Sequence, residues 1–161
     1  MKYPMRRSQW EIEDRDEIKK ILRSSQYVTI AMCNDNWPYI VTVNHAYDEN
    51  RNCLYFHSAK EGKKIDYMES NGLVWGQVLE DYGYLQGECN YLYASVHFSG
   101  RVSFIEKIEE KICALKMMIE KFDQDPETTT LKHLTEDCMR RTAIGRIDIE
   151  YMTGKRSEKL T

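Results

Sequence analysis

The residues with the clearest chemical potential lie in one short segment, 57–64, which reads HSAKEGKK. A run of apolar and aromatic residues that starts at Cys53 ends at His57, and the residues after it favour a helix. The free N–H groups at the start of a helix attract anions. Ser58 adds a hydroxyl donor, Gly62 allows close approach of the backbone, and Lys63 and Lys64 add positive charge. The segment therefore predicts a site that holds a phosphate monoester.

The same segment also fits an ordinary capped helix with a solvated lysine face. Ser58 and Glu61 have the spacing of a capping box, in which the two side chains satisfy the helix start. The Glu61 carboxylate would then compete with an anion for the same N–H groups. Gly62 argues the other way, because a glycine in a first helical turn is unfavourable unless another role requires it. Spacing alone leaves both interpretations open.

A second candidate site is the strand segment 41–44. It could offer apolar contacts and backbone hydrogen bonds to a flat ring, although a plain core strand has the same pattern. Its residues are Val41, Thr42, Val43 and Asn44.

The composition argues against several functions. With 23 basic and 26 acidic residues the net charge is −3, which does not suit a dedicated nucleic-acid binder. No apolar run approaches the roughly 20 residues of a membrane helix, and residues 1–14 lack the apolar stretch of a secretion signal. The histidines and cysteines lack metal-ligand spacing, so no metal site is expected. The five widely spaced cysteines indicate reduced thiols in a cytoplasmic protein.

The hydrophobic patterns predict strands and helices in a single domain spanning residues 1–161. We expect strands at 27–33, 39–47, 53–57, 73–80, 91–104 and 141–151, and helices at 14–23, 58–71, 106–122 and 130–138. The segment 34–38 is expected to be a turn, and 81–90 a loop. Early strands, a late helical pair and a returning last strand predict an α+β fold whose antiparallel sheet closes as a barrel.

Two of these elements have informative patterns. The strand at 91–104 alternates apolar residues with aromatic and polar ones, so its second face suits a ligand pocket, a subunit interface or plain solvent. The helix at 106–122 has an apolar stripe at a spacing of three and four residues. The stripe consists of Ile108, Ile112, Leu115, Ile119 and Phe122.

Five segments, in chain order, resemble a known family. They are Met5-Arg6-Arg7, the strand pair 27–32 and 38–44, the block 54–66, the strand 93–100 and the closing Met152-Thr-Gly-Lys155. Together they look like the nitroimidazole-resistance branch of the pyridoxamine 5′-phosphate oxidase-like FMN-binding proteins. The block around His57 is the most specific of the five.

The resemblance implies a split β-barrel with flanking helices, a homodimer, and FMN bound at the dimer interface. It places the flavin ring along Val41, Thr42, Val43 and Asn44. It places the flavin phosphate at His57, Ser58, Gly62, Lys63 and Lys64, with Ala59 as a further cofactor-binding residue of the same block, and it matches His57 to a histidine beside the flavin. It places Tyr93 and Ser95 in the pocket of the partner subunit.

The function that the resemblance implies is an FMN-dependent oxidoreductase that reduces a small planar acceptor. The flavin would supply the redox chemistry, and His57 is a candidate proton donor because histidine titrates near neutrality. A contact between His57 and the phosphate is an alternative role. The sequence is also compatible with a non-catalytic flavin carrier or sensor, with a dimerisation domain that has an empty pocket, and with F420 or heme in place of FMN.

The sequence also departs from the pyridoxamine phosphate oxidases proper. The strand at 27–32 contains no basic residue, and the C-terminal region lacks the family's Arg/His substrate motif. Vitamin B6 oxidation is therefore not expected. The phosphate charge then falls to Lys63 and Lys64. Arg6 and Arg7 are further candidates, although two such arginines are more often a solvated pair.

Overall fold

The structure, a computed structural model, describes residues 5–158. Residues 1–4 and 159–161 of the predicted domain lie outside the described chain. It contains eight strands, five α-helices and a short 3₁₀ turn at Ser8–Trp10. The strands are β1 (Glu11–Ile12), β2 (Tyr27–Asn34), β3 (Trp37–Asn44), β4 (Ala46–Asp48), β5 (Cys53–Ala59), β6 (Leu73–Leu85), β7 (Asn90–Phe104) and β8 (Thr142–Arg156). The helices are α1 (Arg15–Ser24), α2 (Lys63–Ser70), α3 (Ile108–Phe122), α4 (Pro126–His133) and α5 (Glu136–Arg141).

All strands join one antiparallel sheet, whose hydrogen-bonded order is β3-β2-β6-β7-β8-β5-β4, with β1 on the end of β8. The two outermost strands of this order, β3 and β4, are consecutive in the chain and separated only by His45. A single residue can join both ends of the order only if the sheet curls round on itself. The fold is therefore α+β, an antiparallel split β-barrel with flanking helices, as the sequence predicted.

The break at His45 corrects the prediction of one continuous strand over 39–47. At this residue the chain leaves the β2 side of the sheet and joins β5 on the other side. The His45 ring is fully buried, and its Nε2 lies 2.9 Å from the Leu22 carbonyl oxygen. The ammonium group of Lys121 on α3 donates to the His45 carbonyl at 2.9 Å. His45 thus fastens the barrel closure to both α1 and α3.

The hairpin between β2 and β3 is tighter than the turn predicted over 34–38. Only Asp35 and Asn36 form the turn, and both have positive φ, 47° and 66°. Two such residues give a turn whose twist matches that of the flanking strands, so pairing continues up to it. Pro38 is then part of β3, where it is tolerated because β3 is an edge strand.

The first helix and the last strand pack together at one end of the barrel. Asp14 caps α1 by accepting from the Asp16 N–H, and the side chains of Ile18, Ile21 and Leu22 are buried. Strand β8 continues beyond the predicted residue 151 to Arg156. A Cβ on Gly154 would lie 2.8 Å from Ile18, so the glycine of the closing motif permits this contact.

Two apolar clusters hold the fold together. One fills the barrel and includes Val28, Ile30, Leu54, Phe56 and Phe98. The other lies between the outside of the barrel and α3, and includes Tyr55, Ala114, Met118 and Ile144. Burial of this much apolar surface is the main source of stability for a chain of this size.

The apolar stripe of α3 is not its buried face. Only Ala114 and Met118 are buried on this helix, whereas Ile108 and Phe122 of the predicted stripe are exposed and its remaining members are half-buried. The region predicted as one helix at 130–138 is two short helices, α4 and α5, which pack beside α3. The stripe thus faces a space between helices and not the core.

The β6–β7 hairpin extends further than predicted. Strand β6 continues through the first half of the expected loop 81–90 to Leu85, with a bulge between Asp81 and Gly83. The alternation predicted for β7 is confirmed, since Ala94, Val96 and Phe98 are buried.

Within residues 5–158 no helix is long and apolar enough to cross a bilayer. All five cysteines are free thiols.

Candidate functional site

The barrel has a gap between β3 and the second half of β5, which we call the split. Strand β4 pairs with β5 only over Cys53–Tyr55, so the edge of residues 56–59 on that side has no strand partner within the described chain. The outer edge of β3 is likewise unpaired there, and the two strands are in contact without pairing. Both strand segments singled out in the sequence therefore border the split, with free backbone groups facing it.

Helix α2 begins at the open end of the split, and its start differs from the predicted capping box. Ser58 is not a cap, because it pairs with Ala143 as part of β5. The N-cap is Gly62, with φ of 125° and ψ of 165°, and no side chain caps the helix. Backbone of this kind is essentially restricted to glycine. Glu61 therefore does not compete for the N–H groups of the helix start.

Lys63 reaches from the start of α2 across to β3. Its Nζ lies 4.5 Å from the ring centroid of Tyr39 on β3 and 5.5 Å from that of Tyr67 on α2. The two rings pack against each other at 5.3 Å. Neither Lys63 nor Lys64 forms an ion pair with any residue between 5 and 158. Both cations are thus available at an uncapped helix start.

Ser58 supplies an observation that bears directly on a phosphate. Its side chain points into the barrel end, the residue is only 6% exposed, and its Oγ has no hydrogen-bond partner among the described residues. A buried hydroxyl without a partner is unfavourable by about 1–3 kcal/mol. A phosphate oxygen nearby, or a water that it orders, would remove that cost. The residues at this end of the split therefore fit a phosphate group.

The residues of β3 that were expected to contact a flat ring lie on both faces of the strand. Val41 and Val43 pack against the barrel core. Thr42 is exposed on the other face and shares a hydrogen bond with Thr29 at 2.9 Å, while the Asn44 amide donates to the Gln26 carbonyl at 3.3 Å. What this strand offers a flat ring is therefore mainly its unpaired backbone edge and the apolar surface of the valines.

His57 lies on the opposite face of β5 from Ser58, because side chains alternate along a strand. It points outward and lines a cavity that is bounded by α3, α4 and α5. Ala59 follows His57 on the same exposed face. The structure thus places His57 beside the split, on the opposite face of β5 from the buried Ser58.

Tyr93 and Ser95 do not meet the split within one chain. They lie on the outer face of β7, which is three places from β3 in the sheet order, and Ser95 is buried. Lys155 lies above the Tyr93 ring at 5.6 Å. Arg7 stacks on Trp10 at 4.5 Å, and Arg6 is exposed. Within one chain, Tyr93 and Ser95 are therefore separated from β3 and the split by β2 and β6.

The aromatic pair Tyr39 and Tyr67 was not predicted as part of the site. Tyr39 reads as an ordinary strand residue, and Tyr67 as a residue within a helix. Their contact with Lys63 depends on how α2 packs over β3, which no local pattern specifies. Likewise, nothing in their spacing indicated that His133 and Cys138 share the cavity with His57.

Replacing Gly62 with alanine tests the start of α2. A Cβ at Gly62 would meet no atom within 4 Å, so the effect comes from the backbone conformation alone. We expect the Gly62→Ala protein to be less stable by roughly 1–3 kcal/mol and to bind FMN more weakly. Thermal unfolding and a flavin fluorescence titration measure the two effects.

Gly87→Ala is the matched control for that change. Gly87 also has a positive φ, 80°, and open space around it, but it lies in the hairpin loop far along β6 and β7 from α2. Its replacement should lower stability without changing FMN affinity. Equal FMN affinity in both variants would show that the backbone at Gly62 has no part in binding.

Comparisons with known proteins agree with this fold. The sequence matches the family described as pyridoxamine 5′-phosphate oxidase over residues 14–156. One similar structure is that of a candidate 5-nitroimidazole antibiotic resistance protein from Bacteroides thetaiotaomicron. It is 26% identical with a TM-score of 0.78, and the match covers 91% of this chain and 86% of that one.

Two further relatives are more distant or shorter in their match. The flavocytochrome Anf3 from Azotobacter vinelandii has a TM-score of 0.80 at 16% identity, over 96% of this chain and 72% of that one, which shows a common fold. An uncharacterized protein from Rhizobium meliloti strain 1021 is 36% identical over 69 residues, 43% of this chain and only 44% of that relative's length. The family match spans almost all the described residues, and the chain belongs to the pyridoxamine 5′-phosphate oxidase family.

Proposed function

We propose that this protein is an FMN-binding flavoprotein that acts as an oxidoreductase on a small planar acceptor. The observation that carries the proposal is the open end of the split, where an uncapped helix start, two lysines without ion pairs in the described chain and a buried hydroxyl without a partner there come together. Family membership and the fold shared with the flavocytochrome Anf3 support a flavin at this position. The choice of FMN rests on the fit to a single terminal phosphate.

Each part of the site has a separate task in this proposal. Lys63 and Lys64 neutralise the phosphate, and the N–H groups of the α2 start donate hydrogen bonds to its oxygens. The unpaired edge of β3 at Val41–Asn44 holds the edge of the ring. His57 faces outward from the split and is placed to donate a proton to a bound acceptor. The bound flavin supplies two-electron transfer between a donor, such as a reduced nicotinamide, and the acceptor.

We further propose that two copies of the chain form the working protein. The outer face of β2, β3 and β6 carries a set of large apolar side chains with about half of their surface exposed. They are Tyr27, Ile40, Leu73, Trp75 and Leu79. Several exposed apolar side chains on one face of a sheet suit an interaction surface. The position of Tyr93 and Ser95 on β7, outside the split of their own chain, agrees with a pocket shared between subunits.

A charge placed in this patch should separate the two copies. We expect Trp75→Glu to weaken self-association about a hundredfold, because the carboxylate would lose its water in the interface. Analytical ultracentrifugation at micromolar concentration measures it. Leu131→Glu is the matched control, since Leu131 is 85% exposed on α4 and outside the patch. A Trp75→Glu protein that sediments like the unaltered one would contradict the proposed interface.

Turnover distinguishes the enzyme from a flavin carrier of the same fold. In anaerobic solution we expect NADPH or NADH to bleach the absorbance of the bound flavin, and a nitroaromatic acceptor to restore it over many cycles. Flavin that stays bound but is never reduced and reoxidised in this way would indicate a carrier or sensor.

The five free thiols suit a reducing compartment and favour the cytoplasm as the place of action.

A further inference from the structure

The two lysines at the start of α2 differ in their surroundings. The Nζ of Lys63 lies 4.5 Å from the ring centroid of Tyr39 and 5.5 Å from that of Tyr67. Lys64 contacts no aromatic ring among residues 5–158 in this way. An ammonium over an aromatic ring is attracted by the negative face of the ring. The Lys63 ammonium is thus held at a defined place, whereas Lys64 lacks such a contact.

Tyr39 and Tyr67, which we call the tyrosine pair, are anchored in the fold independently of Lys63. Their ring centroids are 5.3 Å apart and their planes are tilted by 57°, a distance typical of aromatic contacts. Both side chains are half-buried and pack against the cluster that fills the barrel. Pairing of β3 with β2 places Tyr39 opposite Met32. The barrel and α2 therefore set the position of the rings, and the rings set the position of the ammonium.

The tyrosine pair joins the two sides of the open end of the split. Tyr39 belongs to β3, which borders the split, and Tyr67 belongs to α2, which begins at the open end. Lys63 follows the N-cap Gly62 and precedes Tyr67 by four residues, so Lys63 and Tyr67 share one face of the helix. An anion bound between the helix start and β3 would therefore meet the Lys63 ammonium.

The ring contacts leave the charge of Lys63 uncompensated. Asp66 lies in the same first turn of α2, yet no carboxylate of the described residues forms an ion pair with Lys63. Lys19 shows the contrast, since its Nζ lies 3.1 Å from a carboxylate oxygen of Glu49. An aromatic ring attracts a cation but has no net charge of its own. The Lys63 ammonium therefore keeps its full charge for a bound anion.

We propose that Tyr39 and Tyr67 are positioning residues that hold the Lys63 ammonium in place for the phosphate of FMN. A lysine side chain loses rotamer freedom when it is fixed against an anion. A side chain that is already held in the bound position loses less of it, which increases affinity. The tyrosine pair thus makes Lys63 a stronger phosphate ligand than an unrestrained lysine at the same helix start. The assignment rests on the proposed function, because the phosphate is that of FMN.

Replacing the ring at position 39 tests the assignment. Tyr39→Leu removes the ring and keeps an apolar side chain against the core, whereas Tyr39→Phe keeps the ring. We expect Tyr39→Leu to weaken FMN binding about three- to tenfold and Tyr39→Phe to bind FMN like the unaltered protein. Fluorescence titration of FMN measures the affinities. Unchanged affinity in Tyr39→Leu, or an equal loss in Tyr39→Phe, would overturn the assignment.

A double-mutant cycle separates an action through Lys63 from a general loss of structure. If Tyr39 acts through the lysine, Tyr39→Leu should change FMN affinity by less than about twofold once Lys63 is replaced by alanine. In the matched cycle with Lys64→Ala, Tyr39→Leu should still weaken binding about threefold or more. A loss of the same size with and without Lys63 would overturn the assignment, because damage to the fold does not depend on that lysine.

The same titrations distinguish this assignment from the proposed function. FMN that binds the unaltered protein, with independent effects of Tyr39→Leu and Lys63→Ala, would overturn only the role of the tyrosine pair. FMN that does not bind the unaltered protein would contradict the proposed function, and the assignment with it. Coupled effects of the two changes, together with full affinity in Tyr39→Phe, are the result that we expect.

Discussion

Removing both lysines from the start of α2 is expected to weaken FMN binding at least tenfold. Each charge-assisted contact to a phosphate contributes roughly 1.5–3 kcal/mol to the binding free energy. Loss of two contacts would therefore weaken FMN binding at least tenfold, even if the remaining groups of the site compensate for much of the lost free energy. Lys63→Ala with Lys64→Ala breaks no ion pair of the described chain and removes one ring contact, that of Lys63 with Tyr39 and Tyr67. Fluorescence titration of free FMN measures the affinity.

A charge-matched control separates a local contact from general attraction. Lys20→Ala with Lys116→Ala removes the same charge from exposed positions on α1 and α3. We expect that variant to bind FMN like the unaltered protein. If both double variants lose affinity equally, the effect is one of net charge. If neither loses affinity, the phosphate lies elsewhere and the proposed function loses its main support.

The second large effect concerns pH and the barrel closure at His45. Burial, and to a lesser degree the Lys121 ammonium, lower the pKa of His45 to about 4. Its Nε2–H donates to Leu22, and its Nδ1 is buried without a partner within residues 5–158. The ring is therefore held neutral in the folded protein.

The pKa of His45 differs between the unfolded chain and the folded protein, so the stability of the fold depends on pH. The unfolded chain takes up a proton on His45 near its ordinary pKa of 6.5, whereas the folded protein does so only near 4. The stabilising effect of the neutral ring is thus complete above pH 6.5 and is lost as the pH falls towards 4. The loss is about 3 kcal/mol in the free energy of unfolding.

His45→Gln removes this titration while keeping a donor for the Leu22 carbonyl. We expect urea unfolding of the unaltered protein to show a steeper loss of stability between pH 6.5 and 4 than His45→Gln shows. His133→Gln is the control, because His133 is exposed. Identical pH profiles for the unaltered protein and His45→Gln would show that the barrel closure does not depend on a neutral histidine.

Local patterns predicted most elements but not how the barrel closes. The alternation of β7 and the cap of α1 depend on residues a few positions apart, so they can be read along the chain. The break at His45 allows β4 to pair with β5, and β5 in turn pairs with β8, which lies almost a hundred residues later in the chain. The capping box at Ser58 failed for the same reason, since pairing with Ala143 extends β5 through Ser58.

The sequence predicted which charged residues border the candidate site, but not how the side chains are arranged around it. Gly62, Lys63 and Lys64 were expected inside a helix that starts at Ser58, whereas in the structure Gly62 is the N-cap and Lys63 is the first helical residue. Once Ser58 is part of a strand, His57 and Ser58 must point to opposite sides. The cavity beside His57 depends on how three helices pack against a strand that is distant from them in sequence, which no spacing rule describes.

The most direct test of the proposed function is the identity of the molecule that copurifies with the protein. We expect the purified protein to be yellow, with the visible spectrum of an oxidised flavin, and to release a compound with the mass of FMN when it is denatured. FAD, F420 or heme in its place would contradict the choice of FMN. Protein that carries no flavin, and binds none when FMN is added, would contradict the proposed function as a whole.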